Sequence, residues 1–262
     1  MKTIFIILFI VIFAGACDKE SDNSNTNPPP PHPTETLETE TFTFVSNGTA
    51  TKGKIYLPTS YDTNKNLHAI YLIDFKEQHF EVAKDELEKV VDGVDKIEGF
   101  DALAVTLEEH LNIDALPESF QKYYEMFENM TSYVDSNYTT NTSRTFIGRG
   151  SEAGIVMMAL FLEDSANSVF DNFIVTDPSS SFMDALINII ENGDFPQNKL
   201  NKKLHFSFST SNNREKCISL INLLNEAQYP WLQFESVEYS ESNYENTYPI
   251  SFAAGIRYIF NE

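Results

Sequence analysis

Few stretches of this 262-residue chain combine residue types that could do chemistry. The most suggestive is Gly148-Arg149-Gly150-Ser151-Glu152-Ala153-Gly154, set between a strand-like apolar run and a helix-like one. A serine on a sharp strand-to-helix turn is laid out as a nucleophile when small residues flank it and a histidine can take its proton. Two backbone N–H groups must also hold the oxyanion. The histidines are His32, His68, His79, His110 and His205. His205 falls inside a predicted strand, where a ring packs or faces solvent. Glu108-Glu109-His110 gathers groups that bind metals, but nothing supplies a further ligand at a known spacing, so it reads as a solvated acidic loop and no metal or other cofactor is expected. Cys217 keeps helical spacing with Leu220, Ile221 and Leu224 and reads as a small buried hydrophobe. Tyr123, Tyr124, Phe127 and Tyr133 have the spacing of a core-facing helix.

The N-terminus carries a different chemistry. Lys2 precedes an apolar run, Ile4 to Phe13, which ends in Ala14-Gly15-Ala16-Cys17. The run is shorter than the about 20 apolar residues of a membrane span. A short apolar segment closing on small residues reads as a secretory signal. A cysteine directly after them resembles the bacterial lipobox. That resemblance implies a signal peptide over 1–16, a lipid on Cys17 and a membrane as partner. Lys19 among acidic residues resembles the surface-export signal of Bacteroidetes lipoproteins, which implies the outer membrane or cell surface. Residues 17–40 then form the lipidated cysteine and a tether rich in Asn, Ser and Pro. Its run Pro28 to Pro31 favours extended polyproline II. With Cys17 lipidated, Cys217 has no disulfide partner. A net charge of -21 repels phosphate backbones, so nucleic acid is not expected as a partner.

The elements that must position the chemistry follow from residue 41. Thr41 to Asn47 and Lys52 to Leu57 form a hairpin across Asn47-Gly48. His68 to Asp74 is a continuous apolar run, the mark of a strand buried on both faces. Ala102 to Leu107, Thr145 to Gly148, Phe173 to Thr176, Leu204 to Ser209 and Phe234 to Tyr239 bring the strands to eight. Helical spacing runs over 80–91, 119–134, 155–162, 182–190, 217–224 and 250–260. The alternation predicts an α/β protein with a mostly parallel, doubly wound, eight-stranded sheet and flanking helices.

Several local sequences recur in a recognisable order. They are Lys54-Ile-Tyr-Leu-Pro-Thr-Ser-Tyr61, Ala69-Ile-Tyr-Leu-Ile-Asp74, Asp135-Ser-Asn-Tyr138, Arg144-Thr-Phe-Ile-Gly148, Phe170-Asp-Asn-Phe-Ile-Val-Thr-Asp-Pro-Ser179 and Gly255-Ile-Arg-Tyr-Ile-Phe260. Together they resemble the family of esterase D and the enterochelin esterases, over residues 41–262. The resemblance implies an α/β-hydrolase fold and serine-dependent ester hydrolysis. Against the family's Ile-Gly-His-Ser-x-Gly-Gly, the nucleophile position falls on Gly150, and the glycines after it become Glu152 and Ala153. A slip of one residue puts Ser151 at the tip, with Arg149 and Ala153 where glycines belong. The family's histidine should follow the last strand, between Ser240 and Pro249. That segment has none, and Tyr244 or a neighbour fills the gap. Glu215 is the acid on offer, but it lies in a first helical turn, where a carboxylate simply favours the dipole. The family's Asp-Gly after the third strand is Asp74-Phe75, and Phe75 fills space an acyl group would need. The expectation is a degenerate pocket of Phe75, Arg149, Gly150, Ser151, Glu152 and Tyr244. It would hold a small molecule, glycan, siderophore or envelope protein without turning over an ester. The alternative is an active ester hydrolase with Ser151 as nucleophile and a non-standard base.

Overall fold

The computed structural model describes residues 38–73, 81, 84–85, 89, 97, 100–108, 117–164, 166, 168–193, 195–196 and 200–260. Cys17, the tether up to residue 37, Phe75, His32, His79 and His110 lie outside the described residues, as does most of the expected helix over 80–91.

All eight expected strands are present: β1 Glu38–Ser46, β2 Thr49–Leu57, β3 His68–Ile73, β4 Ala102–Leu107, β5 Arg144–Arg149, β6 Asn172–Thr176, β7 Lys202–Ser209 and β8 Leu232–Tyr239. β1 starts inside the stretch read as the end of the tether. Its Thr39 and Glu40 pair with Tyr56 and Ile55. The β1–β2 hairpin closes on Asn47 and Gly48, both at positive φ, as a two-residue turn between right-twisted strands requires. The sheet order is β1-β2-β4-β3-β5-β6-β7-β8. β1–β2 and β2–β4 are antiparallel, and every later pairing is parallel. Among the described residues the sheet is flanked by α1 Pro117–Asn137, α2 Ser151–Leu162, α3 Ser180–Asn192, α4 Arg214–Ala227 and α5 Thr247–Phe260.

Strand alternation divides the apolar residues between two faces. Tyr71, Ile73, Leu103, Val105, Phe146, Phe173 and Val175 pack with α1, α2, α3 and α4. Ile70, Leu72, Ala104, Ile147 and Ile174 pack with Tyr248, Phe252, Ile256 and Ile259 of α5. This is the doubly wound arrangement the alternation predicts. α2 is apolar nearly all round, and Ala153 to Phe161 are buried without a break. Tyr124 and Phe127 of α1 are buried, as their spacing requires. Among the described residues no helix is long and apolar enough to cross a membrane.

The N-terminal end of the parallel sheet is tied by a buried ion pair, Lys202 with Glu163 at 3.3 Å. Glu163 also accepts from the Val169 N–H at 2.6 Å, the Phe170 N–H at 3.2 Å and the Ser168 hydroxyl at 2.9 Å. The Tyr124 hydroxyl donates to it as well. At the same end His68 is buried and its Nε2 lies 2.7 Å from Thr145 Oγ1. Burial, aided by the nearby Arg144 charge, lowers His68 from 6.5 to about 3. His205 is lowered too, chiefly by burial and against the pull of Glu235. An unfolded chain binds these protons first, so acid favours unfolding. Stability should therefore fall as pH drops from about 6.5 toward 3, by up to roughly 1.4 kcal/mol per pH unit for His68. Urea unfolding at pH 7 and pH 5 measures this. His68→Gln should narrow the difference between the two, and an equal difference in variant and parent would remove His68 from the account.

Candidate functional site

β5 runs straight into α2 with one residue between them. That residue, Gly150, has φ 64 and ψ -122. A side chain is strained in this region, whereas glycine enters it at little cost. The reversal leaves Gly150 at the tip of the elbow and makes Ser151 the first residue of α2. The tip residue is thus Gly150, and Ser151 lies one position beyond it. Ser151 and Glu152 are partly buried in the first helical turn. The Gly150 N–H donates to the Thr176 carbonyl at 3.1 Å, and its carbonyl accepts from the Ser179 N–H at 2.9 Å. The elbow is therefore fastened to the end of β6.

Arg149 and Tyr244 dominate the surroundings. Arg149 is 3% exposed although it is charged. Its guanidinium donates to the Tyr244 carbonyl and sits 3.9 Å from the centre of the Tyr244 ring. Glu245 lies 3.9 Å from it, and the Tyr248 ring 5.9 Å. A guanidinium tolerates burial when acceptors and aromatic faces replace its water. The contact holds the loop between β8 and α5 against the elbow. The Tyr244 phenol oxygen stands 2.4 Å from where a Cβ on Gly150 would be. The space for a side chain at the tip is thus occupied from the loop between β8 and α5.

The other polar groups are spread out. Of the described histidines, His68 opens β3 at the opposite end of the sheet, and His205 lies within β7, its Nδ1 2.9 Å from Glu235. At about 3.3 Å of rise per residue, the length of β5 separates the level of His68 from the elbow. Glu215 is exposed in the first turn of α4. Glu108 follows β4, and the rest of its acidic cluster lies outside the described residues, among which no metal-binding group of three His, Cys, Asp or Glu occurs. Cys217 is buried and raised to about 12, first by burial and then by Asp177 and Glu238, so it carries no thiolate at neutral pH.

One acid escaped the sequence reading. Asp177 follows β6 at φ 46 and is fully buried. Its Oδ1 accepts from the Ser209 N–H at 2.6 Å and the Ser209 hydroxyl at 3.0 Å. Its Oδ2 has no partner among the described residues. The signal available was an acid directly after an apolar strand at the C-terminal edge of the sheet, where sites of this architecture gather. The groups at that edge are therefore a glycine tip, a guanidinium clamp, a phenol and a buried carboxylate. They can bind and exclude water, and a hydroxyl at the tip is missing.

No protein-family model matches the chain, and no curated protein matches it by sequence. Solved structures do. An IroE-like serine hydrolase from Shewanella oneidensis superposes with a TM-score of 0.69 at 16% identity, over 85% of this chain and 80% of that one. The siderophore hydrolase EstA from Aspergillus nidulans gives 0.68 at 12% identity, over 91% and 99%. The feruloyl esterase module from Clostridium thermocellum gives 0.57 at 14% identity, over 83% and 86%. The chain has the α/β-hydrolase fold of these esterases.

Replacing Arg149 with Met keeps its bulk and removes the charge. Losing a charged hydrogen bond and a cation–π contact should cost about 2–4 kcal/mol. The expected readout is a lower urea midpoint at unchanged slope, with faster proteolysis inside 240–246. A midpoint equal to the parent's would count against the clamp.

Proposed function

We propose that this chain is a lipid-anchored envelope protein that keeps an esterase-like fold for binding and does not hydrolyse esters. The observation that carries this is Gly150 at the elbow tip, with the Tyr244 oxygen 2.4 Å from its missing Cβ position. Without a tip side chain there is no oxygen to attack an acyl carbon. The segment Ser240 to Pro249 contains no imidazole to take a proton. The two described histidines are engaged elsewhere, by Thr145 and by Glu235. Removing members of a catalytic triad lowers the rate by orders of magnitude. What remains is the crevice at the C-terminal ends of the strands, suited to a small molecule, a glycan, a siderophore or an envelope protein partner. A structural neighbour described as a siderophore hydrolase makes a siderophore the first ligand to try. The sequence Ala14-Gly15-Ala16-Cys17 supports lipidation at Cys17 and an outer-membrane or cell-surface location.

Short p-nitrophenyl esters should be turned over at background rate, and a fluorophosphonate probe should leave the folded protein unlabelled. Gly150→Ser alone should not raise the rate, because the new side chain meets Tyr244 and finds no base. Labelling that disappears in Ser151→Ala would refute this reading and make Ser151 a nucleophile with an unusual base. Metabolic labelling with an alkyne fatty acid tests the anchor, and incorporation should vanish in Cys17→Ala.

A further inference from the structure

A second concavity lies away from the elbow. α5 packs on β6 and β7. Beyond it, the same face of β8 forms one side of an open cleft of about 760 Å³, within the volume range of small-molecule sites. The floor is made of cross-strand neighbours, Lys203 beside Gln233 and His205 beside Glu235. Arg257 and Tyr258 of α5 form the wall, and Tyr239 closes one end.

The chemistry of these groups is selective. The lining carries Lys203 and Arg257 along with the Glu235 carboxylate, and the Lys203 ammonium is taken up by the Ile259 carbonyl at 2.9 Å, so neither a simple anion nor a simple cation is matched well. Among the described residues there is no set of three metal-binding groups either. Glu235 is partly exposed and uses Oε2 to accept from His205, which leaves Oε1 to take another donor. Burial keeps the His205 ring neutral, so with Nδ1–H donating, Nε2 carries a lone pair, and that atom has no hydrogen-bond partner among the described residues. Gln233 is exposed and can both donate and accept. Tyr239 and Tyr258 are held as neutral phenols, raised first by burial and then by Glu235. Each offers a flat apolar ring with a polar tip. Acceptors, donors and aromatic faces, with cation and carboxylate side by side, match a molecule with many hydroxyls and one apolar face.

We infer that the cleft between the β7–β8 edge and α5 binds a neutral saccharide, with Glu235 and Gln233 taking its hydroxyls and Tyr258 meeting its C–H face. This site is separate from the elbow, so it does not depend on whether the elbow hydrolyses esters. The full chain, kept in a non-glycosidic detergent, can be titrated by NMR with methyl glucoside, methyl galactoside, methyl mannoside and N-acetylglucosamine. At least one should give saturable shifts confined to β7, β8 and α5. Glu235→Gln should weaken that binding about tenfold through the lost charge-assisted hydrogen bond. Gln233→Ala, an exposed change that leaves the fold intact, should weaken it measurably as well. The proposal is overturned if none of the four sugars saturates, if the shifts map to the elbow, or if both variants bind as the parent does. Saturable shifts in this cleft with inorganic phosphate but not with sugars would overturn it too.

Discussion

The chain must reverse from β5 into α2 within a single residue. That reversal sets where everything else at the C-terminal edge can sit. At φ 64 and ψ -122 a side chain would cost about 1–3 kcal/mol of backbone strain, whereas glycine relaxes it. In an enzyme the strain is tolerated because it aims a nucleophile. Glycine at this position removes the strain, and the bonds from Gly150 to Thr176 and Ser179 lock the turn. α2 then enters the core at a fixed angle, apolar on every side. Arg149, the last residue of β5, is left pointing at the loop that precedes α5.

The opposite end of the sheet is held by a different device. Glu163 at the end of α2 and Lys202 at the start of β7 are both buried, a costly arrangement unless each polar atom finds a partner. The Glu163 carboxylate takes donors from the 168–170 turn, from Tyr124 and from Lys202. One side chain thereby ties α1, α2 and the strands β6 and β7 together. The N-terminal end is thus held by one buried, fully partnered carboxylate.

Much of this was legible in the sequence. Each strand is an apolar run between turn residues, and each helix has a continuous apolar stripe, so element types and approximate bounds followed from periodicity. The spacing from Ile147 onward was enough to put Gly150 at the nucleophile position. Contacts between distant segments were not legible. The family resemblance grouped Arg149 with Tyr244, but it did not give the bond from the guanidinium to the Tyr244 carbonyl, 95 residues away, which only the fold makes. Asp177 escaped notice, because its burial depends on Ser209 of the next strand. The cleft beside β8 arises from the lateral offset of α5 across the sheet, which no single-segment pattern encodes.

The two outer strands carry a last consequence. Among the described residues β1 and β8 end the sheet, and each has no neighbouring strand on one side. Such edges can recruit an identical edge from another molecule. Glu40 on β1 and Glu235 and Glu238 on β8 line these borders with carboxylates. Two copies brought side by side would set negative charge against negative charge before any ladder could form. Where molecules are crowded together, this acidity keeps sheets from fusing into continuous ribbons, so the domains stay separate even at high local density.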